Sequence, residues 1–206
     1  MPESPYTVSD VMTHTVVAVG SEAPFKEVAK LLDQWKVSAL PVLAGEGRVV
    51  GVVSEADLLA KEEFRDTEEG DSAARTKAGA VTAGELMSTP AVSVHPDATV
   101  AEAARIMARR HVKRLPVVDG VGLLQGVVSR GDLLKVFLRQ DGEIAAEVRH
   151  DVLNRLPVTS PLTVGVSDGV VTLGGSLPDR QLVPVIARAV RAVEGVVDVR
   201  LDLTHR

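Results

Sequence analysis

The chain has 206 residues, 45% of them hydrophobic but only 2% aromatic, no cysteine, and a net charge of -5. Its cores must therefore be built from Val, Leu, Ile and Ala; there is no ring cluster to stack bases, no thiol for a disulfide, a nucleophile or a Cys-based zinc site, and no global attraction to nucleic-acid backbones or anionic membranes. No run approaches the ~20 apolar residues that span a bilayer, and no basic leader precedes an apolar stretch, so a cytoplasmic chain is expected.

The first predicted element is a short strand, Val16 to Val19. A helix follows, in which Phe25, Val28, Ala29, Leu32 and Trp35 recur at helical spacing, with Pro24 suited to its first turn. "ALPVLAGEGRVVGVVS" (39–54) reads as two apolar runs joined by a glycine-rich turn, a strand pair, and a second helix starts at Ser54. Lys61 to Ala80 is polar and mostly acidic without periodicity, so a linker is expected there.

The pattern then begins again. A shift of 75 residues lays Met12 on Met87, Val17 on Val92, Val37 on Val112 and Leu40-Pro41-Val42 on Leu115-Pro116-Val117; "GVVSEADLL" (51–59) falls on "GVVSRGDLL" (126–134), all without a gap. Two copies of one structural unit are present. In the second copy Ala91 to Val94 is the strand, Val100, Ala103, Ala104 and Met107 mark the helix face, and Thr99 with Glu102 makes a capping-box start. Gly45-x-Gly47 and Gly120-x-Gly122 read as hairpin turns, because the next glycine leads into Val-Val and not into a dinucleotide-binding helix.

After Leu138 the order changes. Ile144, Val148 and Val152 lie on one helix face; Leu162 to Ser167 and Val170 to Leu173 alternate around Asp168-Gly169, a dipeptide suited to a tight hairpin turn. Leu182, Ile186, Val190 and Val193 mark a further helix ended by Gly195, and Val196 to Leu203 alternates as a last strand. Pro184 falls where that helix should continue, so a late start or a kink is expected. The organisation is thus residues 1–60 for the first repeat, 61–80 for the linker, 81–140 for the second repeat and 141–206 for a small α-β-β-α-β domain, an α+β chain overall.

A serine between strand and helix with aspartate three residues on, as in Ser54/Asp57 and Ser129/Asp132, has two readings. It can be a helix N-cap pair and nothing more. It can also be a sugar clamp, since helix-start N–H groups attract phosphate or hydroxyl oxygens and an acceptor-only carboxylate can take both hydroxyls of a ribose.

The two ungapped copies, with "LPVLAG" and "LPVVDG" followed by G-V-V-S-x-x-D-L-L, resemble a tandem pair of CBS domains over about Val8 to Leu138. The resemblance implies two β-α-β-β-α repeats paired about a pseudo-twofold axis, adenosine-bearing ligands (AMP, ADP, ATP or S-adenosylmethionine) in the clefts between them, and homodimers formed through these modules. By position, Asp132 would hold a ribose and Ser129 would lie near ribose or phosphate; Lys113 and Arg114 would face phosphates, with Val17, Val37 and Ser38 against the adenine. The related cleft would use Asp57 and Ser54, with Val92 and Val112 against the base. Because the first repeat has Ser38 and Ala39 in place of Lys113 and Arg114, the Asp132 cleft is expected to be the tighter one. The tail, "VGVSDGVVTLGGSLPD" followed by a helix and "VEGVVDVRLDL", resembles a BON domain, which implies a protein or phospholipid partner.

Catalytic patterns are absent from the sequence. The five histidines are scattered, with no His-Glu-x-x-His pair, phosphate-loop Gly-Lys-Ser/Thr or Gly-x-Ser-x-Gly elbow, and no metal site is expected. Asp57 and Asp132 have like surroundings, whereas acid–base pairs need unlike ones. Arg105, Arg109 and Arg110 read as a solvated helix surface, and a patch this small on an acidic chain argues against nucleic acid. Two readings follow: a non-enzymatic sensor of adenine nucleotides that relays occupancy to the tail, or a constitutive scaffold with empty clefts whose tail docks a partner.

Overall fold

The computed structural model describes residues 6–63, 79–155, 162–177 and 179–205. The chain divides into two compact units, one of Val8–Arg130 and one built from Gly131 onward that also takes in Tyr6 and Thr7. The expected α+β class is what is found, with helices accompanying three small sheets.

In the first unit, α1 (Val8–Val11) precedes β1 (Val19–Gly20), α2 (Phe25–Trp35), β2 (Ala39–Ala44), β3 (Arg48–Ser54) and α3 (Glu55–Glu63). The second repeat supplies α4 (Ala83–Leu86), α5 (Val100–Arg110), β4 (Arg114–Val118) and β5 (Leu124–Ser129), and α6 (Arg130–Leu134) follows. The central strands form antiparallel hairpins in equivalent registers, Leu40 opposite Val53 and Leu115 opposite Val128. Of the linker expected at 61–80, the first three residues belong to α3, and 64–78 lie outside the described residues.

Two features of the helices follow from local chemistry. Thr99 accepts the Glu102 N–H at 3.1 Å and caps α5, while Pro24 begins α2 with no side-chain cap. Both helices end on a non-glycine residue in the left-handed region, Lys36 at φ 51° and His111 at φ 54°, again 75 positions apart.

The repeats are interlocked. Val8 N–H donates to the Ala98 carbonyl and Ser9 N–H to that of Pro96, so the leading helix of the first repeat sits on the second. In the same way Ala83 N–H reaches Ala23 and Gly84 N–H reaches Ser21, so α4 sits on the first. Fully buried Leu86 and Ala83 thereby join Val28, Leu32, Leu40, Val42 and Val53 in the first repeat's core. Further on, Thr13 bridges Val127 and Ser88 bridges Val52, each across repeats.

This crossover explains why the expected strands at 16–19 and 91–94 are so short. The chain leaves one repeat's sheet edge at Thr13 or Ser88 and reaches its own only at Val19, opposite Val42, or at Val94, opposite Val117. It also accounts for the repeated glycine of G-V-V-S. A Cβ on Gly51 would overlap the Met87 side chain, and one on Gly126 would lie 2.6 Å from Met12 Sδ and 2.9 Å from the Thr13 carbonyl oxygen.

In the second unit, α7 (Asp141–Glu147) runs into further helical turns to Arg155, and the sheet order is β6 (Thr163–Ser167), β7 (Val170–Leu177), β8 (Asp198–His205). Its core joins Ile144, Val148 and Val152 to Val171, Leu173, Ile186 and Val190, as the periodicity predicts. Asp168 (φ 50°) and Gly169 (φ 73°) make the hairpin turn, and the Asp141 carboxylate accepts both of their N–H groups at 2.9 Å. Pro184 neither delays nor breaks α8 (Leu182–Arg191): it occupies the first turn, where its missing N–H would have had no helical acceptor. Arg139 ties this unit together, donating to Glu147 and to the Glu194 carbonyl at 2.7 Å each, with its guanidinium 5.0 Å from the Tyr6 ring centre. Among the described residues no helix is long and apolar enough to cross a membrane.

Candidate functional site

The interlocking produces a cleft of about 280 Å3 within the first unit, with a wall from each repeat. The first repeat contributes the end of β2 and the β3–α3 junction: Ser38, Ala39, Val52, Ser54, Glu55 and Asp57. The second contributes its crossover segment, through Ser88, Pro90 and Val92, and the α5–β4 junction, through His111, Val112, Lys113 and Arg114. The hairpins place these groups. Ala39 pairs with Ser54 at the end of one ladder and Arg114 with Ser129 at the end of the other, so residues next to the G-V-V-S serines face the cleft mouth.

Asp57 makes a local cap. Its carboxylate accepts from the Ser54 N–H at 2.8 Å and from the Ser54 hydroxyl at 2.6 Å. The Glu55 N–H donates to the Ser38 carbonyl and the Arg130 N–H to that of Lys113, which draws each helix start against its own hairpin. Across the repeats, Arg114 Nη2 donates to the Ser38 hydroxyl at 3.0 Å. One wall therefore carries carboxylates that can accept from hydroxyls, and the facing wall carries cations that can donate to anionic oxygens. Val52, Val92 and Val112 line the apolar part between them.

Of the residues singled out from sequence, the structure brings together Ser38, Ser54, Asp57, Val92, Val112, Lys113 and Arg114 in this one cleft. Lys113 and Arg114 were expected opposite Asp132, and the Asp57 cleft was expected to face only uncharged Ser38 and Ala39. Here all four line the Asp57 cleft, because the crossover brings the second repeat's α5–β4 junction to the first repeat's helix start. Val17 and Val37 are half-buried and pack against the first repeat's core. Ser129 ends β5, and Asp132 lies on α6 in an ion pair with Lys135 at 2.7 Å. Sequence reasoning missed His111 and Glu55. The signal for His111 was its place immediately before Val112 and Lys113; for Glu55 it was its place inside the serine–aspartate spacing. Among the described residues no group of three or more His, Asp or Glu side chains could hold a metal ion.

Comparison with known proteins agrees with this architecture. The CBS-domain family model matches residues 8–63 and 83–139, and the BON-domain model matches 140–205. The CBS domain-containing protein YhcV of Bacillus subtilis is 33% identical over 127 residues, covering 62% of this chain and 82% of that protein. The chloroplastic CBS domain-containing protein CBSX2 of Arabidopsis thaliana is 30% identical over 153 residues, covering 65% of this chain and 64% of that protein. A crystal structure of CBSX2 in complex with AMP superposes with a TM-score of 0.59 at 30% identity, over 65% of this chain and 97% of that one. A duplicated hairpin-and-helix unit, an interlocked pair of repeats and these matches lead to one assignment: the chain belongs to the CBS-domain proteins, as a tandem CBS pair followed by a BON domain.

Proposed function

We propose that the CBS pair is a sensor of adenosine-bearing ligands, AMP, ADP, ATP or S-adenosylmethionine, acting in the cytoplasm and relaying occupancy to the BON domain, whose partner is a protein or a phospholipid. The charge division of the cleft carries this reading, with Asp57 on one wall and Lys113 and Arg114 on the other. In this reading Asp57 takes the ribose hydroxyls, the valines hold the base, and the cations take the phosphate. The AMP complex of the 30%-identical CBSX2 supports that ligand class. The volume, about 280 Å3, is close to the lower bound of small-ligand pockets, ~300–1,000 Å3. Asp132 with Ser129, and with Val17 and Val37 against the base, forms the related second site in this proposal, and homodimers form through the CBS modules. Relay requires the ligand to have unequal affinity for two arrangements of the protein, because only that difference can shift their balance.

The Ser54–Asp57 cap favours a second reading, in which the serine and aspartate serve only the helix start and the protein is a constitutive scaffold. Thermal melts separate the two. A ligand present at a hundredfold excess over its Kd adds about 2.7 kcal/mol to stability. AMP should give the largest shift, Asp57→Ala should remove most of it, and Asp132→Ala should remove only what the second site contributes. If none of the four ligands raises the melting temperature at millimolar concentration, the scaffold reading stands and the sensor reading is wrong.

A further inference from the structure

Strand β8 ends the second unit's sheet: the order is β6-β7-β8, and among the described residues no strand pairs on its outer side. It is eight residues long, contains no proline, and pairs with β7 without a bulge from Val170/Asp198 to Leu177/His205. Edge strands are usually shortened, kinked or guarded, because their outward N–H and C=O groups are a template for another strand. Here the strand carries Asp198, Arg200 and Asp202, whose opposite signs can pair across a twofold instead of repelling, and the Asp198 carboxylate accepts the Val199 N–H at 2.8 Å.

Two hydrogen bonds fix which residues look outward. The Thr204 hydroxyl donates to the Gly175 carbonyl, so that carbonyl faces β8, and the Val199 N–H is taken by its neighbour's side chain. Since main-chain groups alternate along a strand, Val199, Leu201 and Leu203 turn theirs away from β7. Leu201 is also 37% exposed, although it shares a sheet face with buried Val199.

We infer that β8 pairs with β8 of a second copy of this chain, antiparallel and centred on Leu201. In that register Leu201 meets its own counterpart and Val199 meets Leu203; all three have outward main-chain groups, and the ladder closes at its centre and at the Leu203 N–H, while the Val199 N–H exchanges its Asp198 acceptor for the Leu203 carbonyl of the second copy. The alternate pair is then Arg200 with Asp202 of the second copy, formed twice by the twofold symmetry. Both side chains are exposed in the single chain. They fall in the non-hydrogen-bonded position, where opposed side chains are closest and opposite charges stabilise the pairing. A one-residue slip would set inward-facing main-chain groups against outward ones and lose both the ladder and the charge match. The other edge, β6 (Thr163–Ser167), is five residues long and carries no charge.

Because the chain has no cysteine, Leu201→Cys places a single thiol on the proposed twofold axis. The two Cα atoms there would be about 5.5 Å apart, within disulfide range. Leu203→Cys would face residue 199 of the other copy instead. Under mild oxidation of the full chain, Leu201→Cys should form disulfide-linked dimers about tenfold or more faster than Leu203→Cys. Adding Arg200→Asp or Asp202→Arg sets like charges opposite each other and should slow the cross-link; adding both restores opposite charges and should restore the rate. Equal rates for the two cysteine variants, no cross-link at Leu201→Cys, or failure of the double reversal to recover what each single reversal loses would overturn the pairing. These readouts do not involve nucleotide, so they stand or fall apart from the sensor reading.

Discussion

The two CBS repeats share a backbone plan but differ in what holds each part in place. The second repeat caps its long helix with Thr99, pins its hairpin turn with Asp119 and presents Lys113 and Arg114; the first has Pro24, Ala44, Ser38 and Ala39 at those positions. Conversely, the helix that the second repeat donates to the first is the more deeply buried, with Leu86 fully buried where its counterpart Val11 keeps 8% exposure. Duplication has thus kept the contacts that interlock the halves and let the local supports drift apart. One outcome is chemical: an uncharged pair in one repeat and a cationic pair in the other yield a cleft with a carboxylate wall and a cation wall.

The exchanged helices carry the largest expected difference between the repeats. Leu86→Ala removes a fully buried side chain that the first repeat's core borrows, and should cost about 2–5 kcal/mol. Val11→Ala removes a smaller and slightly exposed group from the equivalent place and should cost less. Urea midpoints of the two variants check the order; equal losses would mean that the exchange is energetically symmetric after all.

The glycines come next. Gly126→Ala would push its Cβ against both Met12 and the Thr13 carbonyl, and the carbonyl is held by the Val127 N–H at 3.0 Å and cannot retreat. A loss of about 1–3 kcal/mol is expected from such overpacking. At Gly51→Ala the nearest atoms all belong to the Met87 side chain; its Sδ can turn aside but its Cγ at 2.8 Å and Cβ at 3.0 Å have less freedom, so the loss should fall in the same range without the added backbone carbonyl contact.

These same contacts show where sequence reasoning succeeded and where it stopped. Periodicity located the helices and hairpins because burial of Val28, Leu32, Ile144 or Val190 is a property of one element. The paired positive angles at Asp168-Gly169 were legible for the same reason. What the repeat could not reveal is which copy touches which: a shift of 75 residues maps Leu86 on Val11 equally well whether each helix packs on its own repeat or on the other. The positions carried over from the CBS resemblance set Lys113 and Arg114 beside Asp132, whereas they line the cleft of Asp57. The second helix start looked like a cap or a sugar clamp, and the Ser54–Asp57 bonds show that the cap geometry and the cleft coincide in one place.

The helix starts should differ by less. Thr99→Ala removes the acceptor of the Glu102 N–H and should cost about 1 kcal/mol. Pro24→Ala removes no side-chain cap, since none is made, and should cost only a few tenths by loosening the unfolded chain. Thermal melts of both variants, read against the parent, decide whether the asymmetry is real.

The smallest expected difference is the one tied to pH. In the second repeat's hairpin the Asp119 carboxylate accepts the Leu123 N–H at 2.9 Å, the Val121 N–H at 3.0 Å and the Gln125 amide at 3.2 Å. These bonds, led by that from Leu123, outweigh desolvation and hold the carboxyl below its ordinary value of 3.8. The first repeat carries Ala44 there, and its ladder runs one pair further, to Ala44 opposite Arg48, so its turn needs no such clamp. A carboxyl with a depressed folded pKa stabilises the fold above its unfolded value, about 3.9, and that contribution fades as pH falls through the folded value. Asp119→Asn should therefore be slightly less stable than the parent near pH 7, with the gap closing below about pH 4 as the parent's carboxyl protonates. Urea midpoints measured across that range test the sign: a gap that widens in acid would show that the carboxylate is strained in the turn and not held by it.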